Sequence, residues 1–248
     1  MSEAPTSTSA DKRLISLVIP CYNEAGNIEA LVQEAFDLLP RDLLGEVIVV
    51  DDHSRDDSVA RLLELRDREP RLRVLRHLSN AGQSASVRTG VMAARHPLIA
   101  TLDGDGQNPP GDIPALVAAY DPAGPQLVGG VRAKRRDTWS KRTASKLANA
   151  LRRRLLGDDC PDTGCGLKVF ERDRHLALPF FHGQHRYLPA LFKAHGASTA
   201  YVPIGDRARQ HGASNYTNWK RGLQGVPDML GVRWLMSRAR PVHSEELE

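Results

Sequence analysis

Residues 98–110 read LIATLDGDGQNPP. The opening residues 98–102 are apolar apart from one threonine, which predicts a short buried strand. Asp103, Asp105 and Gln107 follow at alternate positions of a segment that ends in two prolines. A buried strand that runs directly into oxygen-bearing side chains is typical of a parallel sheet, in which ligands bind beyond the carboxyl ends of the strands.

The same order of strand, polar turn and helix recurs earlier in the chain. Predicted strands at 14–19, 46–50 and 72–75 are followed by the turns PCYNE (20–24), DDHS (51–54) and NAG (80–82). Helical spacing follows each turn, at 27–39, 58–68 and 84–94, and again at 113–120. Strands and helices that alternate in this way predict an α/β fold with a mainly parallel central sheet and helices on both faces.

The second half of the chain is marked by a basic stretch. Residues 132–154 contain ten Lys and Arg residues and a single acid, Asp137, whereas the whole chain carries a net charge of only +4. Such a stretch is either a solvated helix face or a surface that binds an anionic partner. Beyond it we predict strands at 167–170 and 200–204, a helix at 188–193, and an apolar, basic tail at 219–240 that is broken at Pro227.

Composition excludes several classes of protein. The chain of 248 residues is 41% hydrophobic and 26% charged, which fits one folded domain. Its three cysteines form no CxxC pair, which argues against a disulfide scaffold and a structural zinc site. Residues 1–12 lack the apolar core of a signal peptide, and no apolar run is long enough to span a bilayer. We therefore expect a cytoplasmic protein. The histidines show no ligand spacing and are interpreted as ordinary surface or core residues, among them His77, His175, His182, His185, His195 and His211.

The acidic turns suggest a divalent cation. If the strand ends converge, the carboxylates around Asp52 and Asp103 repel one another unless a cation lies between them, and hard oxygen ligands suit Mg²⁺ or Mn²⁺. A polar turn that caps the next helix is the alternative. A calcium loop of the EF-hand type would need an acid where Pro114 stands, and a dehalogenase-like nucleophile would lie on the first strand rather than the fourth.

Four motifs in this order and spacing resemble the family 2 glycosyltransferases of GT-A fold. They are PCYNE (20–24), VVDDxS (49–54), NxG (80–82) and DxDxQxP (103–109). Within that family the chain resembles the polyprenyl-phosphate glycosyltransferases, such as dolichol-phosphate mannose synthase, over about residues 13–216. The blocks DTGCGLK (162–168) and RxxGxS (209–214) extend the resemblance, with Cys165 in place of an aromatic residue and Asn215 in place of a lysine.

The resemblance implies a role for individual residues. Asp103, Asp105 and Gln107 would hold the metal ion, and Asp103, Asp105 and Arg209 would stabilise the leaving diphosphate. Arg132, Arg142 and Ser145 would bind the acceptor phosphate. The nucleotide-sugar would contact Pro20, Tyr22, Glu24, Asp52, Gly82, Gln83, Asp103 and Ser214.

The implied activity is a metal-dependent, inverting transfer of a sugar from a nucleoside diphosphate to a polyprenyl phosphate, undecaprenyl or dolichyl. Transfer to a saccharide hydroxyl remains an alternative, and so does an arginine-rich nucleic-acid-binding protein. The second is disfavoured because the chain shows no aromatic platform or helix-turn-helix pattern, and we expect no nucleic-acid partner.

A peripheral position on the cytoplasmic face of the membrane is also expected. Arg135, Arg136 and residues 152–154, with an amphipathic basic segment at 217–240, would meet anionic headgroups, and a small integral-membrane subunit would be a further partner. Residues 1–12 are expected to be a flexible terminus, 13–216 the catalytic domain, and 241–248 an acidic tail.

Overall fold

The computed structural model describes residues 14–132, 152–208 and 218–239, and of residues 218–226 it describes the backbone alone. In chain order the strands are β1 (Ile15–Cys21), β2 (Leu44–Asp51), β3 (Leu72–Arg76), β4 (Leu98–Thr101), β5 (Pro125–Arg132), β6 (Lys168–Glu171) and β7 (Ser198–Ile204). The helices are α1 (Ile28–Leu38), α2 (Ser58–Arg68), α3 (Gln83–Ala93), α4 (Ile113–Ala119), α5 (Arg172–Ala177), α6 (Leu188–Ala194) and α7 (Asn218–Arg238).

These strands form one sheet in the order β3-β2-β1-β4-β6-β5-β7. Strands β1 to β4 are mutually parallel, β6 runs antiparallel between β4 and β5, and β7 is parallel to β5. The predicted mainly parallel sheet is therefore confirmed. Because β1 to β4 point the same way, the turns that follow them lie at one edge of the sheet, where the functional residues were expected.

Side chains of each buried strand alternate between two hydrophobic cores. In β1, Leu17 and Ile19 pack on one face with α1, α2 and α4, whereas Val18 packs on the other face with α3, α6 and α7. Strand β2 divides in the same way, with Val49 on the first face and Val50 on the second. Both faces are covered by helices, as a parallel sheet requires. The predicted helices on both faces are confirmed.

Pro20 does not end β1, contrary to prediction. The strand continues to Cys21, and Pro20 lies opposite Val50 in the register with β2. Val18 accepts a bond from Leu102 N on the β4 side, and Cys21 accepts one from Asp52 N on the β2 side. The Pro20 nitrogen therefore points toward β4, but at a level beyond the last residue of β4. The N–H that proline lacks would have no partner there, so the sheet loses no hydrogen bond.

Pro227 does not break the tail, which is also contrary to prediction. Helix α7 runs through it from Asn218 to Arg238. A proline removes one helical hydrogen bond. Val232 is fully buried, and Met229 and Met236 pack beside it on the core, so the second half of the helix is held by packing. No helix in the described ranges is long and apolar enough to cross a membrane.

Candidate active site

The four turns at the carboxyl edge of the sheet contact one another in a closed ring. The first and second turns are joined by Asn23 N, which donates to Ser54 Oγ at 2.9 Å. Asp52 Oδ2 of the second turn accepts from Gly82 N of the third at 2.7 Å. Gln83 Nε2, just after the third turn, donates to Asp103 Oδ1 of the fourth at 2.7 Å. The fourth turn also contacts the first, because Gly104 lies so close to the Pro20 carbonyl that a Cβ on Gly104 would be 2.8 Å from that oxygen. The predicted clusters are therefore brought together.

The first two turns are shaped by residues in left-handed backbone conformations. Asn23 has φ 54° and His53 has φ 64°, values that residues other than glycine adopt at a cost. Asn23 Oδ1 compensates by accepting from Arg55 N at 2.8 Å. Glu24 N donates to Ser58 Oγ at 3.0 Å, and Glu24 Oε2 accepts from the Asn27 amide at 2.7 Å. Glu24 is half-buried and Tyr22 is 37% exposed, so both lie within reach of a ligand at this edge.

Asp52 organises the third turn. Its Oδ1 accepts from Ala81 N at 2.8 Å and lies 2.7 Å from His77 Nδ1, and its carbonyl accepts from Asn80 Nδ2 at 3.1 Å. Gly82 N donates to Oδ2, so the buried carboxylate binds Ala81 and Gly82, and the backbone carbonyl of the same residue binds Asn80. Gly82 has φ 86° and His182 packs against it, so a side chain at this position would be strained and would collide. The contact between Asp52 and the nucleotide that the resemblance implies stays a prediction, whereas the structure shows that Asp52 builds the third turn.

Asp103 lies among several charged side chains. Burial, and then the neighbouring charge of Asp105, raise the pKa of Asp103 to about 6, although Lys168 and Arg132 act in the opposite direction. Lys168 is buried and donates to the Cys165 carbonyl. Gly166 lies so close to the Asp103 carboxylate that a side chain there would overlap it. The carboxylate is thus held between Gln83, Gly166 and a buried cation.

Asp105 and Gln107 form the remainder of the DxDxQ turn. Gln107 N donates to Asp105 Oδ1 at 3.1 Å, and the Gln107 carbonyl accepts from Arg207 N at 2.9 Å. Within the described ranges, no group of three or more His, Cys, Asp or Glu side chains is arranged around a common metal position. Mg²⁺ sites that act on phosphates commonly use one or two carboxylates and complete the shell with phosphate oxygens and water. The pair Asp103 and Asp105, which interact electrostatically, fits that donor set.

Arg132 makes a two-pronged ion pair with Asp162. Its Nε and Nη2 donate to the two carboxylate oxygens at 2.7 and 2.9 Å, and this contact raises the pKa of Arg132 above its ordinary value. The pair joins the end of β5 to the segment before β6, beside Asp103. The contact predicted between Arg132 and the acceptor phosphate stays a prediction. Four other predicted site residues lie outside the described residues: Arg142, Ser145, Arg209 and Ser214.

Arg152 is not an outer arginine, contrary to prediction. It is 5% exposed, and its Nη1 donates to the buried Asp158 at 2.7 Å. An arginine that is paired in the interior cannot meet lipid headgroups. Arg153 and Arg154 are exposed and remain candidates for that contact, whereas Arg135 and Arg136 lie outside the described residues.

Sequence reasoning missed three residues of this site. His77, Lys168 and Gly166 support Asp52 or Asp103 from other parts of the chain. Lys168 and Gly166 lie within the block 162–168 that the resemblance pointed out, so that block was the available signal. His77 is adjacent to a strand end but belongs to none of the motifs, and its partner Asp52 is 25 residues away.

Comparison with known proteins places this geometry in a family. Residues 16–176 match the family model described as "Glycosyl transferase family 2". The chain belongs to glycosyl transferase family 2. The family predicted from the four motifs is thereby confirmed, and the matched range contains all four turns of the ring.

Two curated relatives are similar to this chain over most of its length. An undecaprenyl-phosphate 4-deoxy-4-formamido-L-arabinose transferase of Edwardsiella ictaluri is 35% identical over 209 residues, 82% of this chain and 63% of that protein. A protein of the same name from Enterobacter sp. is 35% identical over 208 residues, 82% of this chain and 62% of that one. The chain spans less than two thirds of the length of these relatives. Their names agree with the predicted resemblance to polyprenyl-phosphate glycosyltransferases.

Solved structures confirm the predicted GT-A fold. Glucosyl-3-phosphoglycerate synthase of Mycobacterium tuberculosis, in complex with Mn²⁺, UDP and phosphoglyceric acid, is 25% identical with a TM-score of 0.67, covering 89% of this chain and 78% of that one. The same enzyme in complex with Mg²⁺ and UDP gives 25% identity and a TM-score of 0.67, covering 89% of this chain and 79% of that one. Those proteins bind a divalent cation and a uridine nucleotide.

Proposed function

We propose that this chain transfers a sugar from a nucleoside diphosphate to undecaprenyl phosphate or a related polyprenyl phosphate. The main observation in support is the carboxylate pair Asp103 and Asp105, which lies among four turns that contact one another at the strand ends. Relatives at 35% identity that are named for undecaprenyl phosphate support the acceptor. Solved structures of similar fold with UDP and Mn²⁺ or Mg²⁺ support the donor class and the cation.

Asp103 and Asp105 would hold Mg²⁺ or Mn²⁺, and Gln107 is the third proposed ligand. When bound, the cation neutralises the charge that develops on the leaving nucleoside diphosphate. Gln83 orients Asp103 through its 2.7 Å bond. Glu24 and Asp52 offer acceptor oxygens for ribose hydroxyls or a base N–H, and Pro20, Tyr22 and Gly82 border the same edge.

The acceptor explains why a general base is not needed. A phosphate monoester has a second pKa of about 6, so it is already anionic and nucleophilic at neutral pH. Attack on the anomeric carbon opposite the diphosphate inverts the configuration. Arg132, together with Arg142 and Ser145, is proposed to bind the acceptor phosphate, and Arg209 to bind the leaving diphosphate.

Contact with the cytoplasmic face of a membrane is proposed to occur through the α7 outer face, which we define as Leu230, Trp234 and Arg238. Leu230 is 56% exposed and Trp234 is 60% exposed, and the Arg238 guanidinium lies 5.8 Å from the Trp234 ring. An exposed tryptophan beside a cation suits the boundary between headgroups and water. A small integral-membrane subunit is proposed as an additional partner.

The test is an assay of purified protein with Mg²⁺ or Mn²⁺, a panel of UDP-, GDP- and dTDP-sugars, and undecaprenyl phosphate in vesicles. We expect glycolipid and nucleoside diphosphate from one donor. Donor binding without glycolipid would point to a different acceptor or to a missing membrane subunit, and the absence of any donor binding would contradict the transferase assignment.

Asp105→Asn tests the carboxylate pair in the same assay. The change removes one anionic ligand, and we expect a loss of turnover of about 100-fold or more because charge on the leaving group is no longer neutralised. Asp121→Asn is the matched control, since Asp121 Oδ1 accepts from Ala123 N at 2.9 Å in the same local arrangement but in an exposed loop. Full metal-dependent turnover in Asp105→Asn would refute the metal assignment.

A further inference from the structure

His77 connects the second turn of the site, through Asp52, to helix α3. The residue lies just after β3 and is half-buried, with 16% of its side chain exposed. Its Nδ1 is 2.7 Å from Asp52 Oδ1, and its Nε2 is 2.9 Å from Thr89 Oγ1 on α3. His77 N also donates to the Asp51 carbonyl at 2.9 Å. One imidazole therefore connects β2, β3 and α3 at the edge where the turns meet.

The carboxylate partner fixes the role of His77 Nδ1. An ionised carboxylate only accepts hydrogen bonds, so His77 Nδ1 donates to Asp52. In the neutral ring Nε2 is then the acceptor, and the Thr89 hydroxyl donates to it. Both nitrogens are engaged, so the ring has one orientation in which all its polar atoms are satisfied.

The contact with His77 affects how hydrogen-bond donors are distributed over the two carboxylate oxygens of Asp52. Oδ1 receives two donors, from His77 and Ala81 N, whereas Oδ2 receives Gly82 N among the described residues. Each carboxylate oxygen has two acceptor sites. The imidazole thus helps to occupy Oδ1, and the acceptor capacity that remains is on Oδ2, beside Gly82 and Gln83.

We propose that His77 is a positioning residue for nucleotide binding, acting through Asp52. This inference rests on the proposed function, because it requires Asp52 to contact the donor nucleotide. Without the imidazole, the carboxylate can rotate, and its hydrogen bonds from Ala81 N and Gly82 N are weakened.

Arg73 offers a matched control for a purely structural role. It lies on β3, the strand that precedes His77, and its Nη1 donates to Glu46 on β2 at 2.8 Å and to the Ala93 carbonyl at the end of α3 at 2.7 Å. Arg73 therefore links the same three elements as His77, but at the opposite edge of the sheet. Arg73→Leu should lower the melting temperature and leave nucleotide affinity unchanged.

The experiment measures nucleotide affinity and melting temperature together. Binding of UDP, GDP and dTDP with Mn²⁺ is measured by calorimetry at 25 °C, where circular dichroism shows each variant to be folded. For the nucleotide that the wild type binds, we expect His77→Leu to weaken affinity about 10-fold and His77→Asn, which retains a donor to Asp52, to weaken it about 3-fold or less. Thr89→Val should give a smaller loss than His77→Leu, because the bond to Asp52 remains.

Steady-state kinetics provide a second measurement. We expect His77→Leu to raise the KM for the nucleotide-sugar while kcat changes by about 2-fold or less, since His77 touches no reacting atom. Unchanged affinity in His77→Leu, or an equal loss in Arg73→Leu, would overturn the inference. If the wild type binds none of the nucleotides, the proposed function fails and the inference fails with it. If the wild type binds a nucleotide and His77→Leu binds it equally well, the inference alone fails.

Discussion

Gly166 shows how one missing side chain shapes the site. The Asp103 carboxylate occupies the space that a Cβ on Gly166 would need. Gly166→Ala must displace either the carboxylate or the backbone, and a shift of about 1 Å at a reacting centre can cost about 100-fold in rate. We therefore expect a loss of glycolipid synthesis of that order, with stability lowered by about 1 to 3 kcal/mol because the site is overpacked. Turnover and thermal unfolding are measured on the same preparation.

Gly231→Ala is the control for that residue. A Cβ on Gly231 meets no heavy atom within 4 Å, and the residue lies within α7. Alanine is favoured over glycine in a helix by about 1 kcal/mol, so this variant should gain stability and retain activity. Normal turnover in Gly166→Ala would show that Asp103 does not need its observed position.

At the scale of elements, Glu46 joins the amino ends of the parallel strands. The buried carboxylate accepts from Ser16 Oγ on β1 and Arg95 N after α3, both at 2.7 Å, and from Arg73 on β3 at 2.8 Å. Burial alone would raise the pKa of Glu46, but the bonds from Arg73, the Arg95 amide and Ser16 outweigh it and hold the pKa below its ordinary value. The ionised form therefore stabilises the folded state.

Glu46→Gln should lower the free energy of unfolding at pH 7 by about 2 to 3 kcal/mol, because a charged acceptor is lost beside Arg73. The unfolded glutamate protonates near its ordinary pKa of 4.5, and the folded one below it. The contribution is thus complete above that pH and is lost as the pH falls through the folded pKa. Urea unfolding of both proteins from pH 7 to pH 3 measures the difference. A difference that stays constant over this range would contradict the ionised network.

The elements that were predicted correctly are those whose signal is local. Helix α2 lies at the predicted residues 58–68, because apolar spacing and the preceding polar turn are both read within one segment. Pro20, Pro227 and Arg152 were misinterpreted because strand neighbours, core packing and a buried partner decided their structure. In the site, the acids at strand ends were predictable. The supports His77 and Gly166 were not, because their partners are distant along the chain.

At the scale of the whole molecule, helix α7 lies close to a loop that packs on the third turn of the site. Asp228 on α7 is next to Gly183, and the neighbouring His182 packs against Gly82 in the third turn. The Arg233 side chain donates to the Leu155 carbonyl at 2.6 Å, which places the exposed Arg153 and Arg154 beside the same helix. Membrane contact through the α7 outer face, as proposed, would therefore bring Arg153 and Arg154 close to the lipid headgroups.

This arrangement predicts that the α7 outer face matters only when the acceptor is in a membrane. Replacing Leu230 with Ser and Trp234 with Ala should reduce binding to anionic vesicles about 10-fold or more, because exposed apolar area and its interfacial tryptophan are lost. Binding of the wild type should also weaken with added salt, since near-surface cations contribute about 1 kcal/mol each. Transfer to undecaprenyl phosphate in vesicles should fall in parallel, whereas transfer to a short, water-soluble polyprenyl phosphate should stay at the wild-type rate.

Val232→Ala separates docking from folding in that experiment. Val232 lies on the opposite, buried face of α7, so the change should lower stability by about 1 to 3 kcal/mol through a cavity and leave vesicle binding intact below the melting temperature. Sedimentation with vesicles and the two acceptor assays are run on all three proteins. If the double variant loses both acceptors equally, α7 supports the fold of the site rather than contact with lipid. If it loses neither, the membrane contact lies elsewhere on the molecule.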